Sequence, residues 1–335
     1  MPRFELLGGA TAFPARVLQN DEALAHLRPT LSAERRHFLA DGLREETGLD
    51  RRAWSHLPGR PFLHDVEESS AGLGAEAARG ALAEAGADPA DVDVLICVTS
   101  TPTHMTTALS AEIGGILGLE AAAFDLRAGC SAGLPALTTA ALQLRGGARR
   151  VLLVCADTFS KVVPGDATLM ALGLGDGAAA VLLGEGTGLL CGGHFRSDGR
   201  RRDFVTTPGR LPPTVEDVEA GLFALAGQPD SLNDALPALY EEALRGALAV
   251  AGLDASAISA YIPHQTSRGL IEAVAQRLGF QRTWQAVGRH ANVGSAGWLV
   301  ALLEARSEGF VGAGDTVALA AAGGGLSWGA VVVRL

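Results

Sequence analysis

The stretch "RGALAEAGADPADVDVLICVTSTP", from Arg79, recurs as "RGALAVAGLDASAISAYIPHQTS", from Arg245. Each reads as a helix ending at Ala-Gly, a short Asp-led turn and an apolar strand. The correspondence continues downstream. "AGCSAGLPALTTAALQLRGGARRVLLVCA" finds its counterpart in "ANVGSAGWLVALLEARSEGFVGAGDTVALAA", a small-residue turn followed by an amphipathic helix and a second apolar strand. "GDGAAAVLLG" and "GLSWGAVVVRL" then close the halves with β-rich segments. Chance likeness between Ala- and Gly-rich helices would not reproduce the order of elements as well as the letters. The chain is therefore read as a duplicated α/β unit, with halves at residues 1–185 and 186–335. Its strands are continuous apolar runs, the pattern of sheets covered by helices on both faces. The stretch from Arg196 to Leu236, with "RRRD" and "TPGRLPP", has no counterpart and reads as an insertion or cap on the second half.

Composition narrows the partners. With 335 residues, 48% hydrophobic and 19% charged, the chain can bury a large core. A formal net charge of −10 argues against nucleic acid, because phosphate binding needs a basic face. No apolar run approaches the ~20 residues of a membrane span, and "MPRFELLGGA" lacks the charged-then-apolar layout of a secretory signal, so the expected location is the cytoplasm. Cys97, Cys130, Cys155 and Cys191 include no C-x-x-C pair, so neither a metal site nor a disulfide framework is indicated. Cys97 and Cys155 read as buried strand residues. Cys191 carries no signal.

Three turns at the ends of apolar strands are chemically capable. "RAGCSAGLPAL", Arg127 to Leu137, holds two nucleophiles side by side: G-x-S-x-G imitates the elbow of serine hydrolases with Ser131, and the same letters expose Cys130. Cys130 lies between the strand "AAAFDL" and a helix expected to open at about Leu134–Pro135. A thiol at a helix N-terminus meets free N–H groups and the positive dipole end, so its thiolate is expected to be favoured. Ser131 gains less, since a hydroxyl needs a general base. His264 in "AYIPHQTSRG" follows the corresponding strand of the second half, where a ligand-facing role competes with a structural one. Asn292 in "RHANVGSAGW" occupies nearly the turn that Cys130 occupies in the first half, with His290 nearby as a rival base. The run Gly323 to Gly325 would let backbone N–H groups approach a ligand, or simply make a tight turn.

Cys130 in "AGCSAG", His264 in "PHQ", Asn292 in "ANVGSAG" and the closing "GGGLSWGAVVVRL", in that order and spacing, resemble the β-ketoacyl-acyl-carrier-protein synthase III family of the thiolase superfamily. "LGGATAFPARVLQND", "ETGLDRR" and "GDGAAAVLL" fit the same pattern, so the resemblance covers nearly the whole chain. It implies an α/β, duplicated thiolase-like fold, layered αβαβα with two pseudo-symmetric halves. It also implies an acyltransferase that loads an acyl group from acyl-CoA or an acyl carrier protein onto Cys130 and condenses it with a malonyl thioester after decarboxylation. By that carry-over His264 and Asn292 stabilise the enolate, and the backbone N–H groups of Cys130 and Gly324 form an oxyanion hole. No bound cofactor is implied; coenzyme A or phosphopantetheine acts as substrate carrier, and the enzyme is a homodimer. Arg268 and Arg277 would meet the carrier's phosphate or acidic residues. The "THMTT" loop, with Met105 and Thr106, resembles the segment that crosses the dimer interface to floor the partner's acyl pocket.

This sequence departs from that pattern at four places. Gly42 and Glu46 stand where the family often carries the Trp and Arg that hold the CoA adenine. Ala322 replaces an aromatic residue before the glycine run, which would open space near the thiol, and Ala291 replaces a Gly, read as a milder change. Two other functions stay open: a relative that passes the acyl group to a hydroxyl or amine without condensation, His264 acting as base, and a serine hydrolase using Ser131 with Asp254 and His264. A degradative thiolase is excluded by the lack of a second catalytic cysteine near the C-terminus.

Overall fold

The computed structural model describes residues 2–60 and 68–335. Eight strands form the main sheet system: β1 (Arg3–Ala12), β2 (Val94–Val98), β3 (Ala122–Leu126), β4 (Arg150–Thr158), β5 (Asp176–Ser197), β6 (Ala260–Pro263), β7 (Thr316–Gly323) and β8 (Ser327–Arg334). In the first half the order across the sheet is β3-β2-β4-β5-β1, with β2 parallel to β3 and β4 and the remaining pairs antiparallel. In the second half a parallel bridge from Thr283 to Tyr261 supplies the edge position, followed by β6-β7-β8-β5. Numbered within each half, both orders read 3-2-4-5-1 with the same pattern of parallel and antiparallel pairs. The duplication seen in the letters is thus a duplication of topology.

The two halves share a strand. β5 runs for 22 residues; its start pairs with β4 and its later part, Leu189–Ser197, pairs with β8. Residues 185 and 186 fall inside it, so the halves meet without a linker of the kind that separates independent domains.

Strand parity builds the layers. On β2 and β4, Val94, Ile96, Val98, Val151, Leu153 and Cys155 face inward, while Leu95, Cys97, Leu152 and Val154 face an outer cluster with the Ser70–Ala85 helix. On β7 and β8, Val317, Leu319, Val331 and Val333 face inward; Ala318, Ala320, Val332 and Ala330 face the Pro229–Ala251 and Arg268–Leu278 helices. The central layer is the pair of helices Gly133–Arg145 and Gly297–Ser307. They approach closely: a Cβ on Gly133 would stand 1.9 Å from Trp298 Nε1. Cys97 and Cys155 are buried on their strands, as the apolar runs imply.

The Arg196–Leu236 stretch continues β5 and then folds into a small cap, with the short strands Val205–Thr206 and Ala226–Gly227 paired antiparallel and a five-residue helix, Val215–Glu219. Val205 and Leu225 carry the cap back onto the apolar cluster that includes Leu172, Phe159, Trp54 and Cys130. Among the described residues no helix is long and apolar enough to cross a membrane.

Candidate active site

Each half places one turn before one of the two central helices. In the first half, Gly129 (φ +58°) turns the chain after β3, Cys130 follows, and the helix opens at Gly133, slightly ahead of the expected Leu134–Pro135. The turn lies against the glycine run. A Cβ on Gly129 would stand 2.5 Å from Gly324 O, and one on Gly323 would stand 2.4 Å from the Cys130 nitrogen. Gly325 adopts φ +128°, open to glycine alone. The run is thus required by backbone-to-backbone contact, which brings Cys130 and Gly324 together.

The thiol is not activated in the way the helix end implies. Burial, and then the nearby Asp157 carboxylate, push Cys130 up to about 12. The helix dipole contributes at most a few tenths to about 2 kcal/mol, and desolvation of a thiolate outweighs it here. Cys130 rests as a protonated thiol.

In the second half, His264 follows β6 and is 1% exposed, with neither ring nitrogen hydrogen-bonded to protein. Its ring lies against Gly297, where a Cβ would meet Nδ1 at 2.5 Å. Burial pulls its pKa down to about 4, opposed by the Asn292 side chain. At neutral pH the imidazole is uncharged and carries one N–H.

Asn292 is fixed from three sides. Its backbone N–H donates to Gly173 O (3.1 Å) and its carbonyl accepts from Gly175 N (2.9 Å). Its side-chain oxygen accepts from Gly294 N at 2.9 Å, which leaves the amide NH2 as the free donor. Ala291 before it adopts φ +56°, ψ −156°, a region essentially reserved for glycine. The Ala-for-Gly change is therefore strained, a correction to its reading as mild.

A residue that sequence reasoning missed ties the loop after β2 to the turn of Asn292. Asp157, fully buried at the C-terminal end of β4, accepts from Thr99 Oγ1, Ser100 N, Thr101 N and Thr101 Oγ1 on one oxygen, and from Ser295 N and Ser295 Oγ on the other. It reaches from the strand beside Cys130 to the turn of Asn292. The signal was a lone Asp closing an apolar run, "VLLVCAD".

The other candidates fall as follows. Ser131 donates to Ala128 O (2.9 Å) and contacts Ser327 Oγ (3.0 Å), so no imidazole activates it. His290 is bonded to Glu304 at 2.7 Å and stacked on Phe13 at 4.1 Å, a structural residue. Arg268 is exposed at the start of its helix and packs over Gly48 of the Thr-Gly turn. Arg277, also exposed, lies 3.8 Å from Glu241. Met105 is 62% exposed and Thr106 beside it is exposed, on the loop between β2 and the Leu109–Leu117 helix. Ala322 is buried in the outer cluster with Tyr240, Leu326 and Trp328. Among the described residues no three His, Cys, Asp or Glu side chains gather as a metal-ligand set.

Known proteins resemble this chain along its whole length. Residues 124–199 match the family model 3-oxoacyl-[acyl-carrier-protein (ACP)] synthase III, and residues 248–335 match its C-terminal model. The chain is 32% identical over 351 residues to a β-ketoacyl-[acyl-carrier-protein] synthase III of Brucella anthropi, with all of both chains covered. This chain belongs to the β-ketoacyl-acyl-carrier-protein synthase III family. The enzyme of the same name from Mesorhizobium japonicum is 36% identical over 279 residues, covering 80% of this chain and 85% of the relative. Among solved structures, the synthase III of Pseudomonas aeruginosa superimposes with a TM-score of 0.85 at 26% identity, covering 99% of this chain and 98% of that one. The priming β-ketosynthase of the R1128 polyketide biosynthetic pathway gives 0.84 at 27% identity, covering 99% and 96%. The fold is thiolase-like, and the protein is an acyltransferase of the synthase III type, a condensing enzyme.

Proposed function

We propose that Cys130 accepts an acyl group from acyl-CoA or an acyl carrier protein, and that His264 and Asn292 then direct decarboxylative condensation with a malonyl thioester. The observation that supports this reading is that two unlike donor sets occupy corresponding ends of the two halves: backbone N–H groups at Cys130 and Gly324, and side-chain donors at buried His264 and half-buried Asn292. In acylation the thiol sulfur attacks the donor carbonyl and loses its proton as the bond forms. The carbonyl oxygen becomes an oxyanion between the two N–H groups, and the carrier leaves as its thiol. The malonyl thioester then sets its carbonyl oxygen against the imidazole N–H and the Asn292 amide. Carbon dioxide departs, the enolate oxygen is held by both donors, and the carbon attacks the carbonyl of the acyl-cysteine; the acyl–sulfur bond then breaks, the β-ketoacyl thioester leaves, and the Cys130 sulfur takes a proton from solvent to return to the thiol. A neutral imidazole suits this task because it stabilises charge without handing over a full proton.

Arg268, exposed beside the Thr-Gly turn, is the proposed contact for the phosphate of coenzyme A or phosphopantetheine, with Arg277 further along the same helix. Gly42 and Glu46 lack the stacking and pairing groups expected there, which favours a carrier-protein donor and a specialised fatty-acid-like or polyketide pathway. A cytoplasmic homodimer completes the reading. Met105, Ile116 and Leu142 are exposed apolar residues on elements flanking the edge strand β3. A cavity of about 630 Å³ bounded by Arg127, Phe195, Gly324 and Trp328 adjoins the Cys130 turn and would receive the Met105–Thr106 loop of a second copy.

The test is intact-protein mass after incubation with acyl-CoA and acyl-carrier donors, comparing wild type, Cys130→Ala and Ser131→Ala. The expected adduct is lost only in Cys130→Ala, and a malonyl carrier then releases carbon dioxide. An adduct lost only in Ser131→Ala would return the hydrolase reading. Acylation of an alcohol or amine with no carbon dioxide released would replace condensation by simple transfer.

A further inference from the structure

Ser131 and Ser327 are buried hydroxyls, 4% and 8% exposed, that the chemistry above does not use. They come from opposite halves of the duplicated fold and meet at 3.0 Å. Ser131 Oγ donates to Ala128 O at 2.9 Å. Ser327 Oγ lies 2.7 Å from Ala128 O and 3.2 Å from Gly324 O. Two hydroxyl protons serve these contacts, and however they are shared the pair joins the Ala128–Ser131 turn to the Gly324–Ser327 turn.

These are the turns that present the N–H groups of Cys130 and Gly324. Apart from this hydroxyl pair they meet where glycine lets the backbones approach, at Gly129 against Gly324 and Gly323 against Cys130. We propose that Ser131 and Ser327 are positioning residues that fix the spacing of the two oxyanion-hole donors, Ser327 being the keystone because it alone reaches carbonyls of both turns. The proposal rests on the reading of Cys130 and Gly324 as that hole. The side chain that imitates a nucleophile is, on this view, half of a brace. An oxyanion hole stabilises only when its donors stand about 2.7–3.1 Å from the developing charge, so loosening the brace weakens acyl transfer while leaving the thiol itself as reactive as before.

The experiment compares two reagents on wild type, Ser131→Ala, Ser327→Ala and Ser327→Thr. p-Nitrophenyl acetate acylates the thiol through a tetrahedral oxyanion: the sulfur–carbon bond forms, the carbon–oxygen bond breaks, nitrophenolate leaves with the electron pair and the thiol proton passes to solvent. Iodoacetamide alkylates the same sulfur by direct displacement of iodide and needs no oxyanion hole. Ser327→Ala should slow nitrophenolate release roughly 10- to 100-fold with alkylation unchanged within about twofold. Ser131→Ala should lose less, since Ser327 keeps both carbonyls, and Ser327→Thr should restore most of the rate. Equal losses with both reagents, or none with either, would overturn the brace. Should wild type accept the acetyl group from nitrophenyl acetate but from no acyl thioester, the donor assignment fails and the brace stands.

Discussion

The two turns that build the site occupy equivalent corners of a duplicated topology, yet they solve the same backbone problem differently. At the first corner Gly129 takes the left-handed conformation (φ +58°) and lets the glycine run approach its backbone. At the second, Ala291 is held at φ +56° and ψ −156° by the clamps on Asn292. The electrostatics of Cys130 and of His264, whose ring lies against Gly297 beyond the second turn, also oppose each other: burial pushes the thiol up to about 12 and the imidazole down to about 4. Both groups are therefore neutral at physiological pH. Duplication supplied two similar corners; desolvation made one a store for a proton on sulfur and the other an uncharged donor.

If the corners divide the chemistry, removing the second should spare the first. His264→Ala or Asn292→Ala should lower malonyl decarboxylation by roughly 10²- to 10³-fold, the loss typical of one oxyanion donor. Acylation of Cys130 by nitrophenyl acetate, measured on the same samples, should change far less. Parallel losses in both steps would erase the division.

The opposite pKa directions give a stability test. His264 has a folded value of about 4 against an ordinary 6.5, so between those values the unfolded chain binds a proton that the folded chain does not. The contribution is complete above about pH 6.5, is lost as pH falls toward 4, and amounts to about 3 kcal/mol. Denaturant midpoints of wild type and His264→Gln, taken from pH 7 to pH 4, should show wild type losing stability relative to the variant by about 3 kcal/mol toward the acidic end. Parallel curves would mean that His264 titrates normally.

For Cys130 the sign runs the other way. A thiol near 12 rather than 9 holds about 10³-fold less thiolate at pH 7, and its greater intrinsic nucleophilicity returns part of that. Alkylation by iodoacetamide should be roughly 50-fold slower than for an ordinary cysteine. Its rate should rise tenfold per pH unit from 7 to 10. A plateau near neutrality would instead report a thiolate–imidazolium pair.

How much of this was legible follows from what each feature depends on. Strand parity and the repeated helix-turn-strand order are local, and they foretold the duplicated layers. Cys130 and His264 stood out because each follows an apolar strand, and Asn292 because its turn repeats that of Cys130, although a short helix, Val287–His290, precedes it. The charge state of Cys130 was misread, because a helix N-terminus is visible in sequence whereas desolvation depends on what packs over the thiol. Here the apolar cluster that Cys130 packs against also takes in Val205 and Leu225, from a cap with no counterpart in the first half. Asp157 and the Ser131–Ser327 pair escaped notice for the same reason. Their partners lie across the fold, and a single Asp or Ser at a strand end or turn has ordinary local explanations.

The smallest expected effect tests the backbone side of the comparison. Ala291→Gly should relieve strain of about 1–3 kcal/mol, offset by about 0.4–1 kcal/mol of added freedom in the unfolded chain and up to about 0.8 kcal/mol for the buried methyl. The net is a stabilisation of about 0.5 kcal/mol, read as a higher denaturant midpoint with an unchanged slope. Gly129→Ala is the matching change at the other corner, and its sign should be opposite. There the new methyl would stand 2.5 Å from Gly324 O and 2.8 Å from Gly324 N, so the glycine run must move and acylation of Cys130 must fall with stability. If instead both substitutions destabilise, Ala291 is held by packing rather than strained by it, and the second corner then depends on its alanine just as the first depends on its glycine.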